Sequence, residues 1–140
     1  MKVLFDTNVI LDVLLDRKPF VEISAKLVNL VENQKIEGYL CATTLTTLDY
    51  LITKALDRSH AKIAIQSLLT LFKVCEVNST VLEMAINSKF NDFEDAVQYF
   101  SGECCHINAL VTRNIKDYKH ANLPVYLPNE LWAMVGAENN

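Results

Sequence analysis

Apolar and polar positions along this chain follow two periods, and where they switch marks the elements. Val3-Leu4-Phe5 is a short apolar run that stops at Asp6-Thr7-Asn8 and resumes as Val9-Ile10-Leu11, the pattern of a buried strand passing straight into a helix. After Pro19, the residues Phe20, Ile23, Leu27, Leu30 and Val31 recur at helix-face spacing, which predicts a helix ending near Asn33. Residues 36–40 read as a strand with Gly38 its weak point, and 43–55 as a helix because Leu45, Leu48, Leu51 and Ile52 share a face. Ser59 is expected to cap a helix reaching Phe72, residues 74–77 to form a strand, and Ser79 to begin a helix carrying Val81, Leu82, Ala85 and Ile86. A helix opened by Asn91-Asp92 and reaching Cys104 should bury Phe93, Ala96, Val97 and Phe100. Residues 109–111 and 125–127 read as the last strands, and Pro128 suits the first turn of a closing helix with Leu131 and Trp132.

Five short strands separated by helices predict an α/β fold with a parallel sheet covered on both faces. Right-handed crossovers put every strand's carboxyl end on one edge of such a sheet. Asp6 and Thr112-Arg113-Asn114 then face one crevice despite their separation in sequence. Ligand chemistry in open α/β sheets sits at that edge, although a carboxylate before a helix also serves as a cap.

Composition narrows the class. The 140 residues, 51% of them apolar, suit one domain over 1–140 with a continuous core. No apolar stretch reaches the roughly 20 residues of a membrane span, and Asp6 ends the N-terminal apolar run too early for a signal peptide, so a soluble cytoplasmic protein is expected. Cys41, Cys75, Cys104 and Cys105 lack metal or redox spacing and read as small buried hydrophobes. The net charge of −4 opposes non-specific binding to nucleic acid. Arg17-Lys18, the set Lys54, Arg58 and Lys62, and the set Arg113, Lys116 and Lys119 are local basic patches that read first as solvated faces. His60, His106 and His120 are scattered and read as surface or helix-end residues.

The acids carry more chemistry. Asp92 and Asp95 are three apart and share one side of a helix, with Glu94 about 100° around from Asp95. Asp92 suits a helix cap, whereas Asp95 lies next to apolar Ala96, where an uncompensated charge is costly. Hard divalent cations take oxygen ligands, so Asp6, Asp95 and Asp117, with Asn114 as a neutral oxygen ligand or water holder, are a candidate Mg²⁺ cluster of the kind that hydrolyses phosphodiesters.

At residues 3–11, at Asp92-Phe93-Glu94-Asp95-Ala96 and at residues 110–118, the chain resembles the PIN domains, which include the ribonuclease toxins of toxin–antitoxin pairs. The resemblance implies a three-layer α/β/α sandwich with a parallel five-stranded sheet and a Mg²⁺- or Mn²⁺-dependent endoribonuclease site. It further implies that Asp6 and Asp95 bind metal, that Thr112 and Asn114 fall in the family's Thr-x-Asp segment with Asp117 just beyond, and that Thr7 and Asn8 orient the site. RNA, an antitoxin protein and a second copy of the chain are the implied partners, the last also compatible with the apolar surplus of Tyr39, Tyr50, Leu51 and Trp132. Two positions depart from the family pattern: Thr47, with Asp49 nearby, stands where a Glu is common, and Asn114 replaces a common Asp. Fewer ligand charges weaken cation affinity, so the alternative is a PIN-like domain that binds RNA or a protein without turnover. A haloacid-dehalogenase-type phosphatase also opens on a strand-end Asp but needs a second Asp where this chain has Asn8.

Overall fold

In the computed structural model, which describes residues 1–138, the apolar run at the N-terminus forms β1 (Lys2–Phe5) at the centre of a five-stranded sheet. β2 (Glu37–Cys41) and then β3 (Lys73–Cys75) lie to one side, and β4 (Ala109–Val111) and then β5 (Val125–Tyr126) to the other, with every pair parallel. The helices are α1 (Thr7–Leu14), α2 (Val21–Glu32), α3 (Ala42–Ala55), α4 (Arg58–Leu71), α5 (Ser79–Ile86), α6 (Phe93–Cys104) and α7 (Pro128–Glu138), with a 3₁₀ turn at Ile115–Tyr118.

Side chains of a strand alternate between faces, and β1 uses both. Val3 and Phe5 pack with Leu27, Leu48, Leu68 and Leu131, which places α1, α2, α3, α4 and α7 on one face. Leu4 packs on the opposite face with Tyr99 and Ile107, while Cys41, Val81, Ala85, Ala96 and Val97 close the layer of α5 and α6. The result is the expected three-layer α/β/α sandwich around a parallel sheet. Among the described residues no helix is long and apolar enough to cross a membrane.

Several expected details shift for identifiable reasons. α4 is capped by Asp57, whose carboxylate accepts from the His60 N–H at 2.8 Å, rather than by Ser59. β3 ends at Cys75 because its only neighbour, β2, ends opposite at Cys41. On α6, Phe93 is exposed and Gln98 and Tyr99 are buried, so the inward face is rotated from the expected one. Cys41 and Cys75 are buried as expected, but Cys104 is exposed and Cys105 half-buried at the end of α6. Of the apolar surplus, Tyr39 belongs to the core and Tyr50 is exposed, while Trp132 packs against the core with the Lys26 ammonium over its ring.

Gly38 turns out to be a requirement of β2. A Cβ there would meet two Phe72 ring carbons at 2.6 Å and Val31 at 2.9 Å, and the Phe72 ring is fixed edge-on to Phe5 at a centroid distance of 5.2 Å. Gly38→Ala is therefore expected to destabilise the fold by about 1–3 kcal/mol. A lower denaturant midpoint at an unchanged m value is the measurement that checks it.

Candidate functional site

The register of the central strands builds the site. Phe5 pairs with Val111, and the Asp6 N–H continues the ladder to the Val111 carbonyl at 3.0 Å, so Asp6 and Thr112 leave the sheet side by side. Asp6 occupies the cap position of α1 but makes no side-chain cap bond. Its carboxylate turns inward instead and is only 8% exposed. One oxygen, Oδ2, accepts from the Thr112 hydroxyl at 2.7 Å. The other, Oδ1, accepts from Gln98 Nε2 at 2.9 Å and lies 3.4 Å from the Tyr118 hydroxyl. Thr112 is itself held by the Asn114 N–H at 3.1 Å, so Asn114 contributes through its backbone while its side chain is exposed.

Helix α6 brings the second carboxylate. Asp92 caps it, accepting from the Asp95 N–H at 2.9 Å, and Asp95 projects from the first turn to within 3.4 Å of the same Tyr118 hydroxyl. One turn further, Gln98 accepts from Thr44 at 3.0 Å and donates to Tyr118, while Thr7 lies 3.0 Å from Thr44. Above this network is a cavity of about 200 Å³ whose walls carry Asp6, Asp92, Glu94 and Asp95 beside Thr7, Asn8 and Thr47. Among the described residues no Lys, Arg or His lines it.

The two positions that depart from the family pattern acquire a geometry. Thr47 donates to Glu94 Oε1 at 3.3 Å, so a carboxylate from α6 stands against the α3 position that lacks one. Asp49 points elsewhere: it pairs with Arg58 at 3.3 Å in a separate cavity of about 570 Å³ that Leu45 and Ile65 also line. That cavity is larger but holds no convergent acids, and the charge pattern favours the smaller one as the site. Asp117 lies on the far side of Asp95, in a small cleft with Lys116, Lys119 and His120 that also touches Asp92. The expected cluster is thus divided: Asp6 and Asp95 share a hydroxyl, Asp117 flanks Asp95, and among the described residues no three His, Cys, Asp or Glu side chains converge on a metal position. The donor set suits a hard cation all the same, since Mg²⁺ is commonly held by one or two carboxylates with waters and phosphate oxygens completing its shell.

The third basic patch loses Arg113 and keeps Lys116 and Lys119. Arg113 turns inward to pair with fully buried Asp12 at 2.7 Å, and its guanidinium stacks over Phe20 at 4.0 Å. Burial raises the Asp12 carboxyl, against the lowering by Arg113 and Arg17. The pair clamps the loop after β4 onto α1 and so fixes Thr112 and Asn114. Sequence reasoning missed Gln98, Tyr118 and Thr44, although a glutamine inside the run Ala96-Val97-Gln98-Tyr99, one turn beyond Asp95, was a readable signal.

Electrostatics mark Asp95. Burial first, then the charges of Asp92, Asp6 and Asp117, push its carboxyl up to about 7, against the lowering by the Tyr118 hydrogen bond. Burial raises the Tyr118 hydroxyl far above the ordinary phenol range, so it stays a proton donor. Because the folded Asp95 binds its proton more tightly than the unfolded one, its stabilising contribution is complete below the ordinary carboxylate range and is lost as pH rises to about 7. Thermal melts of metal-free protein from about pH 4 to 8 are expected to fall more steeply for the parent than for Asp95→Asn. The variant should be the more stable of the two at the alkaline end.

A family model described as PIN domain matches residues 2–116. Among solved structures, VapBC2 from Rickettsia felis, bound to a DNA fragment from their promoter, is similar at a TM-score of 0.68 and 15% identity, covering 91% of this chain and 98% of that one. FitAcB from Neisseria gonorrhoeae is similar at 0.67 and 19% identity, covering 90% and 97%. VapC20 from Mycobacterium tuberculosis, a sarcin-ricin loop cleaving toxin, is similar at 0.68 and 13% identity, covering 84% and 94%. No curated protein matches the chain in sequence. At these identities the solved structures speak to the fold, and it is the family match, running from β1 into the turn after β4, by which the chain belongs to the PIN-domain family.

Proposed function

We propose that the chain, as one domain over residues 1–140, is a divalent-cation-dependent endoribonuclease and the toxin partner of a toxin–antitoxin pair in the cytoplasm. The observation that carries this reading is the cavity at the sheet edge, with four carboxylates, Asp6, Asp92, Glu94 and Asp95, and no basic residue in its wall. Such a concentration of negative charge is unfavourable alone and is relieved by a bound cation. Supporting the toxin assignment, VapC20 is a toxin that cleaves the sarcin-ricin loop, and a toxin–antitoxin complex from Klebsiella pneumoniae is a similar structure.

When bound, Mg²⁺ or Mn²⁺ would supply a Lewis acid for the phosphate oxygens and a water of lowered pKa. Asp6 and Asp95 are the residues to hold it, with Glu94 lining the same cavity and Asp117 beside Asp95 as a further acid. Thr112 and Gln98 fix the orientation of Asp6, Thr7 acts through Thr44, Asn8 lines the mouth, and Asp92 sets the direction of the first turn of α6. With a net charge of −4, RNA binding depends on the cation and on local cations such as Lys116 and Lys119 rather than on the overall field. A homodimer remains part of the proposal, with Tyr50 among the exposed aromatic residues available to it.

One observation favours the second reading, a domain that binds RNA or a protein partner without turnover: among the described residues no three His, Cys, Asp or Glu side chains are placed to hold one metal ion together. Incubation of a mixed RNA pool separates the two. Cleavage with Mg²⁺ or Mn²⁺, abolished by EDTA and reduced on the order of 100-fold or more by Asp6→Asn, is expected. RNA binding with no cleavage under any cation would select the second reading, undiminished cleavage by Asp6→Asn would remove this site from consideration, and cleavage that persists in EDTA would remove the metal.

A further inference from the structure

Beneath the acidic cavity lies a hydrogen-bonded network whose donors all run in one direction. Thr44 gives its proton to Gln98 Oε1, so at the 3.0 Å contact between the two threonines Thr7 must be the donor. With Oε1 engaged by Thr44, Gln98 presents its amide N–H groups to Asp6 Oδ1 and to the Tyr118 oxygen. The reverse orientation of the amide would set its oxygen against the Asp6 carboxylate, so the network fixes the rotamer. Since Tyr118 accepts from Gln98, its own proton is left for a carboxylate, and Asp6 Oδ1 and Asp95 Oδ1 each lie 3.4 Å away. Thr44, Gln98 and Tyr118 are 1%, 3% and 2% exposed, so water does not substitute for these bonds.

The two carboxylates depend on this network unequally. Asp6 keeps Thr112 on its other oxygen at 2.7 Å. Asp95 has no side-chain hydrogen-bond partner besides Tyr118 among the described residues, although it sits with like charges around it.

Resting on the metal-dependent reading above, we propose that Gln98 and Tyr118 are positioning residues of the cation site: the Tyr118 hydroxyl, aimed by Gln98, sets the distance and orientation of the Asp95 carboxylate relative to Asp6. The one Tyr118 proton can be given to either carboxylate oxygen, and a neutral hydroxyl in that place orients Asp95 without adding a positive charge that would compete with the cation. Partners of this kind, touching the ligands rather than the metal, are commonly worth a factor of about 10–100 in metal affinity.

Titration of the metal-free full chain with Mn²⁺, with free ion followed by electron paramagnetic resonance, tests this. Tyr118→Phe removes one oxygen and keeps the ring that packs with Phe90 in the core. It is expected to melt cooperatively yet bind Mn²⁺ about 10- to 100-fold more weakly than the parent. Gln98→Met, which keeps the length of the side chain, should weaken binding in the same range, and combining the two should cost less than the product of the single effects because both act on one bond. In cleavage assays the loss should be recovered in part at saturating Mn²⁺ with the KM for RNA unchanged, a pattern that a general loss of structure does not give. A folded Tyr118→Phe that binds Mn²⁺ with less than a tenfold loss overturns the positioning role. A parent that binds no Mn²⁺ overturns the metal-dependent reading itself, and the two failures are thereby distinct.

Discussion

A carboxylate buried at the carboxyl end of the central strand constrains most of what surrounds it. Asp6 leaves β1 with both neighbouring strands fixed in register, so its side chain has nowhere to go but into the junction of β1, β4 and α6. Desolvation of a carboxylate is tolerable only where donors replace water. The chain meets that need with groups drawn from distant segments: Thr112 from the end of β4, Gln98 from the second turn of α6, Tyr118 from the 3₁₀ turn. Each is buried, and each is carried there largely by apolar packing, chiefly Ala96 and Val97 in one cluster and Tyr99 and Leu110 in another.

The same junction gathers repulsion. Burial and then the charges of Asp92, Asp6 and Asp117 bear on Asp95, and its carboxyl is pushed up to about 7. The local cations are used or placed elsewhere. Arg113 is drawn off to Asp12 beneath Phe20, Arg58 to Asp49, and Lys116 and Lys119 stand in the neighbouring cleft. The two hydrophobic layers on either face of the sheet supply the stability against which that repulsion is set.

Membership of the PIN family and the local geometry together change how the departures from the family pattern read. Thr47 in place of an acid looked like lost charge, but its hydroxyl donates to Glu94, so the carboxylate arrives from the facing helix. Asn114 acts through its backbone on Thr112. Asp49, the nearest acid on α3 in sequence, faces a different cavity because its partner Arg58 begins α4. Neighbours in sequence along a helix diverge by roughly 100° per residue, which is why a substitution pattern alone misplaces such groups.

The sequence alone determined the strand–helix alternation, the parallel sheet and the candidate status of Asp6 and Asp95, because those follow from period and from which residue types end a strand or open a helix. It also showed Asp92 as a cap, since capping is local and needs only the following turn. Tertiary structure alone decided that Asp117 lines a cleft with Asp95 and not the cavity that Asp6 lines, that α6 turns Gln98 inward and Phe93 outward, and that Tyr118 stands between the two carboxylates. Periodicity assigns a residue to a face but does not fix the rotation of a helix against its sheet. That rotation is set by how Ala96, Val97 and Tyr99 fit their neighbours, and a hydrogen bond between residues far apart in the chain exists only once that fit is made.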